Sequence, residues 1–569
     1  MAGKLQRLVV AIVAVACLAA PSAAAAAPWE AVGGGIDWDV NSIAVDPSGG
    51  LYVGGGFHFG CIAPVHTAAP WCTQSPESDA AIRWTGSEWS PLESGLGSAV
   101  TSLVLDGSGG IVAGGAATST SGGLTINHVG RWNGSAWNAL GVGVNGTVYV
   151  VVRDSAGDVY VGGDFTSAGG IPANGVAKWD GSTWSALGAG VDGVVYALAV
   201  DGDGAVYVSG EFSHAGGVEA TRIARWDAAT AQWTALGPGL NVYAQALAVD
   251  GAGALYAGGG FTRTGGAGAV EISRIAKWNG TSWTSLGGGV EDVVETPIIR
   301  DEIKALAIDA RGNVYAGGDF GRIGGVAASR LAKWDGSTWT ALATTVPNEQ
   351  DGNSSYVGAL AVDPTGYLYV GGKFNGIDSV PALNVARRVI ADPPAAPGAA
   401  RTVLAGRSAT VSWSAPASDG GAPITGYTVT AAPGGVSCTW ASGPLRCTLT
   451  GLRRGVRTTI SIRAANVAGA GTAATVSVVV PAAIASVAPA RGSALGGTRV
   501  VIRGAGLAKV TRMTIGGRAA RIVHRSASRL VVRTPRHAAG LVAVAVTAAG
   551  KRTIAARAFY YVVVPMPCG

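Results

Sequence analysis

Trp184 to Phe212 reads WSALGAGVDGVVYALAVDGDGAVYVSGEF, and after a variable stretch the chain resumes as RIARWD at Arg222 to Asp227. The same order of residues returns downstream. WTSLGGGV begins at Trp283, KALAIDARGNVYAGGDF at Lys304 and RLAKWDGST at Arg330. Counting by the tryptophan that opens the unit gives Trp29, Trp89, Trp137, Trp184, Trp233, Trp283 and Trp339, at gaps of 60, 48, 47, 49, 50 and 56 residues. A period near fifty with 89 glycines and no collagen pattern fits repeated sets of short strands joined by tight turns.

Each unit parses into four strands. The first alternates apolar residues, as in Tyr196 to Val200, and ends in an Asp-x-x-Gly turn whose aspartate can accept backbone N–H groups two or three residues on. That aspartate recurs as Asp46, Asp106, Asp154, Asp201, Asp250, Asp309 and Asp363. The second strand, Ala205 to Val208, runs into small residues and an aromatic. The third ends in Trp84, Trp132, Trp179, Trp226, Trp278 or Trp334, and hairpin turns such as Asn133-Gly134, Asp180-Gly181, Asn279-Gly280 and Asp335-Gly336 follow. Four short strands cannot cover both their faces, but radially stacked copies can. The expected class is all-β: a seven-bladed β-propeller over residues 28–391. Both tryptophan sets are expected to pack between neighbouring sheets. The seventh unit stops at Ile390 without a fourth strand, and the first begins with one, so residues 29–33 should pair with 384–390. These units resemble bacterial β-propeller repeat proteins, with kelch-like Gly-Gly pairs and NHL-like strand-turn-strand units. The resemblance implies architecture and says little about activity.

Beyond a proline-rich linker, Asp392 to Pro397, the pattern changes to two immunoglobulin-like β-sandwich domains. Thr410-Val-Ser-Trp-Ser-Ala-Pro416, Ile424 to Val429 and Leu452 to Asn466 resemble a fibronectin type III domain over residues 392–481. Thr458 stands where that family has its corner tyrosine, so one stabilising hydrogen bond is expected to be absent. Ile484 to Pro489, Gly496-Gly-Thr498, Val501 to Leu507 and Phe559-Tyr-Tyr561 resemble an IPT/TIG domain over residues 482–563, leaving a tail at 564–569. At the other end, Lys4 and Arg7, an apolar run and Ala23 to Ala27 read as a signal peptide over residues 1–27. A secreted or extracellular protein, associated with the cell surface and not integral to a membrane, is the expectation.

Charge divides the chain. Residues 28–390 carry 18 Lys/Arg against 33 Asp/Glu, and residues 391–569 carry 21 against 2, Asp392 and Asp419. Two different partners, or two parts that attract each other, would produce such a split. Arg518, Arg521, Arg525, Arg529, Arg533 and Arg536 crowd one short span. Alternate strand positions share a face, so several should form a basic stripe. Export gives chromosomal nucleic acid little access, which makes acidic envelope polymers the better partner class.

No catalytic constellation, metal set or cofactor motif is apparent. A galactose oxidase-like copper centre needs two histidines, two tyrosines and a cross-linked cysteine, whereas His58, His66, His128, His214, His524 and His537 are scattered singly. A sialidase-like site needs a central arginine cluster, and Arg83, Arg131 and Arg225 instead hold one repeated outer position. The expected function is non-enzymatic binding or adhesion through a propeller face, with the sandwiches as stalk or envelope contact. The competing reading is a hydrolase or lyase acting on extracellular polysaccharide. Recognition is expected on the face opposite the short turns, where residues 57–80, 288–302 and 343–356 depart most from the repeat. These carry Trp71, Glu291, Asp292, Glu295, Asp301, Glu302, Glu349 and Asp351, a set that suits a carbohydrate, a cation or a basic partner.

Export also makes the cysteines legible, and proximity pairs Cys61 with Cys72 and Cys438 with Cys447, the second pair flanking an expected hairpin. Peptide mapping of the non-reduced, exported protein is expected to recover both linkages. Free thiols at Cys61 and Cys72, or crossed pairs, would contradict this pairing.

Overall fold

The computed structural model describes residues 28–57, 80–93, 95–266, 268–291, 301–347 and 355–563. Among these the regular structure is all strand, and no helix is long and apolar enough to cross a membrane. Seven four-stranded antiparallel sheets form the first part. In the fourth, Val194–Val200 is innermost, followed outward by Val206–Glu211, Ile223–Asp227 and Gln232–Ala235. Each innermost strand packs against the next, and the first, Val40–Val45, packs against the last, Tyr356–Val362, so the ring is closed. Closure uses the two ends of the array. Trp29–Ala31 pairs with Val385–Val389, setting Trp29 opposite Arg388 and Ala31 opposite Ala386.

The repeated tryptophans bind blade to blade. All seven opening indoles are buried, at 4–8% exposure. Trp137, Trp184, Trp233, Trp283, Trp339 and Trp29 each donate their Nε1–H to a leucine carbonyl of the preceding blade, at 2.7–3.2 Å. The acceptor is the leucine of Trp-x-x-Leu, so one motif supplies a donor to one neighbour and an acceptor to the other. Trp89 faces the blade in which valine, Val32, replaces that leucine, and its Nε1 has no partner among the described residues. Where a glycine follows that leucine, at Gly141, Gly188, Gly237 and Gly287, it lies beneath the next blade's second tryptophan. At Gly188, with φ +57°, a methyl group would come within 3.0 Å of the Trp226 ring.

The aspartate turns are built as the residue pattern requires. Asp46 accepts from the backbone of Ser48 and Gly50, Asp106 from Ser108 and Gly110, and Asp309 from Arg311 and Asn313. Four of the basic residues before the second tryptophans, Arg83, Arg131, Lys178 and Lys277, are ion-paired at these turns. Arg83 pairs with Asp46 at 3.0 Å and lies over Tyr52, and Arg131 pairs with Asp106 at 2.8 Å.

Between second and third strands, four blades carry a short hairpin absent from the sequence reading: blade seven, Gly376–Ile377 with Val380–Pro381, and blades three, four and six, Ser167–Ala168 with Ile171–Pro172, His214–Ala215 with Val218–Glu219, and Arg322–Ile323 with Val326–Ala327. In the last three the Gly-Gly turns have φ near +57° and +82°, the left-handed pair that a type I′ turn demands.

The next unit is a sandwich of three and four strands around Trp413, Tyr427, Val429, Ile460 and Ile462. Cys438 and Cys447 are bonded. The sequence reading put them across one hairpin; instead Val436–Trp440 pairs with Gly426–Ala432, and Arg446–Leu449 pairs with Ser408–Pro416. The bond therefore staples one sheet to the other, because the chain changes sheet at a turn held by Trp440 Nε1 donating to the Pro444 carbonyl. Thr458 is 1% exposed and its hydroxyl has no partner, as expected where the corner tyrosine is missing. The last sandwich packs sheets of four and five strands around Val500, Ile502, Met513, Leu530, Val532 and Phe559.

The linker is fixed rather than free. Arg311, from the aspartate turn of blade six, pairs with Asp392 at 2.7 Å and donates to the carbonyl of Ile390 at 2.8 Å. A methyl at Gly366, in the turn of blade seven, would come within 2.8 Å of Ala391 and Ala422. The first sandwich thus seats on the short-turn face at blades six and seven. The ion pair runs against the bulk charges, since the acidic propeller supplies the cation.

Removal of residues 28–36 deletes the closing strand and empties the Trp29 site. The expected cost is at least about 3 kcal/mol, the range for truncating a buried tryptophan, and an unchanged propeller melting temperature would rule the closure out. The turn aspartates give a second expectation. Burial pushes the carboxyls of Asp46, Asp106 and Asp309 up, but hydrogen bonds from Ser48, Ser108 and Asn313 and their neighbours outweigh it and hold all three below the ordinary carboxylate value. Their folded pKa being depressed, they stabilise the ring above roughly pH 4 and lose that contribution as pH falls further. Thermal melts between about pH 6 and pH 3 should show a progressive drop, made shallower by Asp309→Asn.

Candidate functional site

All seven innermost strands break register with their neighbour at one level, between Val40 and Ser42, Val100 and Ser102, Val148 and Val150, Val195 and Ala197, Ala244 and Ala246, Ile303 and Ala305, and Val357 and Ala359. Each break is a bulge that leaves one residue without a ladder partner and re-aims its side chain. The extra residues are Asn41, Thr101, Tyr149, Tyr196, Gln245, Lys304 and Gly358, each five positions before its turn aspartate and each half-buried. Flanking positions are repetitive and apolar; this one differs in almost every blade. Two residues earlier lies a second varied level, which includes Asp39, Tyr243, Glu302 and Tyr356.

Contacts within these levels run around the central channel from blade to blade. Asn41 donates to the Val100 carbonyl at 3.0 Å and Thr101 to the Val148 carbonyl at 2.6 Å. Tyr149, Tyr196 and Tyr243 form an aromatic arc, with ring centroids 5.2 and 4.6 Å apart. Gln245 donates to Glu302 at 2.7 Å, and Glu302 is ion-paired with Lys304. Lys304 lies 5.3 Å from the Tyr356 ring centroid, and the Tyr356 hydroxyl donates to Asp39 at 2.8 Å. Trp38, the residue before Asp39, is 58% exposed. Burial first and the Glu211 carboxylate second push the Tyr196 and Tyr243 phenols up, so both remain neutral hydrogen-bond donors. Beside the arc, Glu211, Arg222, Val242 and Tyr243 line a cleft of about 520 Å³ between blades four and five.

The sequence-derived candidates distribute unevenly. Trp71, Asp292, Glu295, Glu349 and Asp351 lie outside the described residues, as do Cys61 and Cys72. Glu302 lies on the channel wall. Asp301 precedes it, 7% exposed with φ +32°. Glu291 is engaged in the scaffold: it accepts from Arg322 Nε at 3.0 Å and from the Gly325 amide, which hold its carboxyl below the ordinary value. Asn145, Asp192 and Asn241 clamp the corresponding loops of other blades in the same way. The mouth tyrosines were missed by sequence reading, although counting back five residues from each turn aspartate finds Tyr149 and Tyr196.

One cluster resembles catalytic machinery in composition only. Ser213 Oγ donates to Asp192 at 2.7 Å and lies 3.0 Å from His214 Nδ1, which also meets Asp192 at 3.0 Å. Serine and aspartate share one ring nitrogen, whereas a nucleophilic triad needs them on opposite nitrogens. Among the described residues no group of three or more His, Cys, Asp and Glu is arranged to hold a metal ion.

Comparison with known proteins agrees with this organisation. Residues 124–296 match the Rax2 C-terminal beta propeller domain, residues 393–480 the fibronectin type III domain and residues 482–561 the IPT/TIG domain. No curated protein matches the chain. Among solved structures it is similar to an extracellular domain of B. thetaiotaomicron, BT4673, at 14% identity and TM-score 0.37, over 79% of this chain and 57% of that one. It is also similar to the WD40 beta propeller domain of Doa1, at 12% identity and TM-score 0.39, over 63% of this chain and 96% of that one. The twitchin kinase region of C. elegans is similar at 28% identity and TM-score 0.14, over 16% of this chain and 17% of that one. The chain therefore comprises a β-propeller, a fibronectin type III domain and an IPT/TIG domain, in that order.

Proposed function

We propose that this is an extracellular, non-enzymatic binding protein that takes a carbohydrate at the channel mouth of its propeller, with the two sandwiches as a stalk. The observation that carries this reading is the ring of bulges. Seven strands of similar sequence expose one varied residue each at one level, and two of these, Tyr149 and Tyr196, form with Tyr243 an arc of tilted, contacting rings. Aromatic faces pack on the apolar side of a sugar ring, while Asp39, Glu211, Gln245 and Glu302 offer acceptors and donors for its hydroxyls. The fixed stalk supports the assignment, because the fibronectin type III domain occupies the opposite face. The disulfide and the two adhesion-type sandwiches support an extracellular setting.

The test is a glycan array and calorimetry with the full chain and with a Tyr196→Ala/Tyr243→Ala variant, together with assay of the eluted glycans for cleavage. Binding without product, weakened at least tenfold in a variant whose melting temperature is unchanged, is expected. Equal binding by the variant would move the site elsewhere, and cleaved glycan would favour the hydrolase or lyase reading.

A further inference from the structure

The four-stranded sheet of the IPT/TIG domain carries its arginines in register. Arg499 of Arg499–Ala505 lies opposite Arg533 of Arg529–Arg533, and Arg533 lies opposite Arg521 of Arg521–Arg525, a row of three across three strands. Four residues along, Arg503 lies opposite Arg529. All five are exposed, while the alternating residues Val500, Ile502, Leu530 and Val532 point into the core. The outward face therefore has two arginine rows about 13 Å apart along the strands, with neighbours about 5 Å apart across them.

This arrangement opposes the stability of the isolated domain. Like charges directly opposite on paired strands repel, and residues 482–563 contain no Asp or Glu to offset them. None of the five is ion-paired among the described residues; Arg533 donates to the Gly497 carbonyl at 3.1 Å. Two residues beyond Arg503 and Arg529, Ala505 and Ala527 enter a cleft of about 480 Å³ against the fibronectin type III domain, lined also by Arg407, Arg453, Arg454 and Lys509. The positive surface thus runs from the sheet toward the junction of the two sandwiches.

We infer that this sheet face binds an extended phosphate-bearing polymer of the cell envelope. Guanidinium groups match phosphate oxygens in a planar, two-pronged fashion that lysine does not. Two rows rather than one cluster suit a repeating anion over a single small ion, and exchange of counterions for a polyanion would relieve the repulsion within the rows. The inference rests on the stalk role given to the sandwiches, but it does not depend on the propeller mouth: polymer binding is read with the mouth intact and without glycan, so either can fail alone.

The experiment measures binding of the full chain to poly(glycerol phosphate) from about 50 to 300 mM salt. It compares Arg499→Gln/Arg521→Gln/Arg533→Gln with Arg552→Gln/Arg557→Gln, the latter removing two exposed arginines from the other sheet. The row variant should bind at least tenfold more weakly, with the slope of log affinity against log salt reduced by about two. It should also melt no lower than the parent at low salt, since it relieves repulsion, and a structural role for the row would lower that temperature. The control variant should keep most of its affinity. Equal weakening by both variants, no binding to the polymer, or binding confined to duplex DNA or to a uronic acid polymer would overturn the inference.

Discussion

The ring depends on a hydrogen bond from one indole to the carbonyl three residues after the previous blade's indole. A buried N–H or C=O left alone is costly, and here each blade's donor is satisfied only by a neighbour. Stacking tryptophans contribute apolar area, but area alone would tolerate sliding. The bond between Trp233 Nε1 and the Leu187 carbonyl, at 2.9 Å, fixes both the spacing and the angular step between blades three and four. Five further copies repeat that step, and in four of the six junctions a glycine after the leucine admits the adjacent ring. The exception at Trp89 falls against the strand contributed from the start of the chain, where Val32 takes the leucine's place.

A scaffold specified so redundantly frees other positions to vary. The bulged residues have no ladder partner to satisfy, so Tyr149, Gln245 and Lys304 can differ without disturbing strand pairing. The aspartate turns on the far face show the converse. Every polar atom of Asp309 is used, by Arg311, Asn313 and Tyr315, and that face is where the stalk attaches. One end of the ring is held by saturated hydrogen bonding, and the other is left chemically open.

Much of this was legible in the sequence, and what was not has physical reasons. Tryptophan spacing, Asp-x-x-Gly turns and Asn-Gly hairpins are local signals, so the strands and their order could be read directly. The closing strand was legible because a missing fourth strand at one end matched a spare one at the other. The bulges were not, since an added residue in a short apolar strand changes no residue type; Tyr196 reads as one more β-former until its register is known. Sequence reading was drawn instead to the longest insertions, and of their residues Glu302 reaches the channel wall while Glu291 clamps a loop. The Cys438–Cys447 staple was misplaced for a related reason: nine residues of separation suit a hairpin and a change of sheet equally well.

The closing strand sets an order of events. Trp29–Ala31 is made before every other strand of the propeller, and its partner Val385–Val389 comes last; Glu30 and Arg387, which join across that seam, are 357 residues apart. Until the last blade emerges, the first blade has no neighbour on one side and the opening segment has no sheet to enter. Contacts so distant in sequence close slowly and late. The growing chain must therefore carry that segment and unpaired strand edges until the last blade of the propeller has been made.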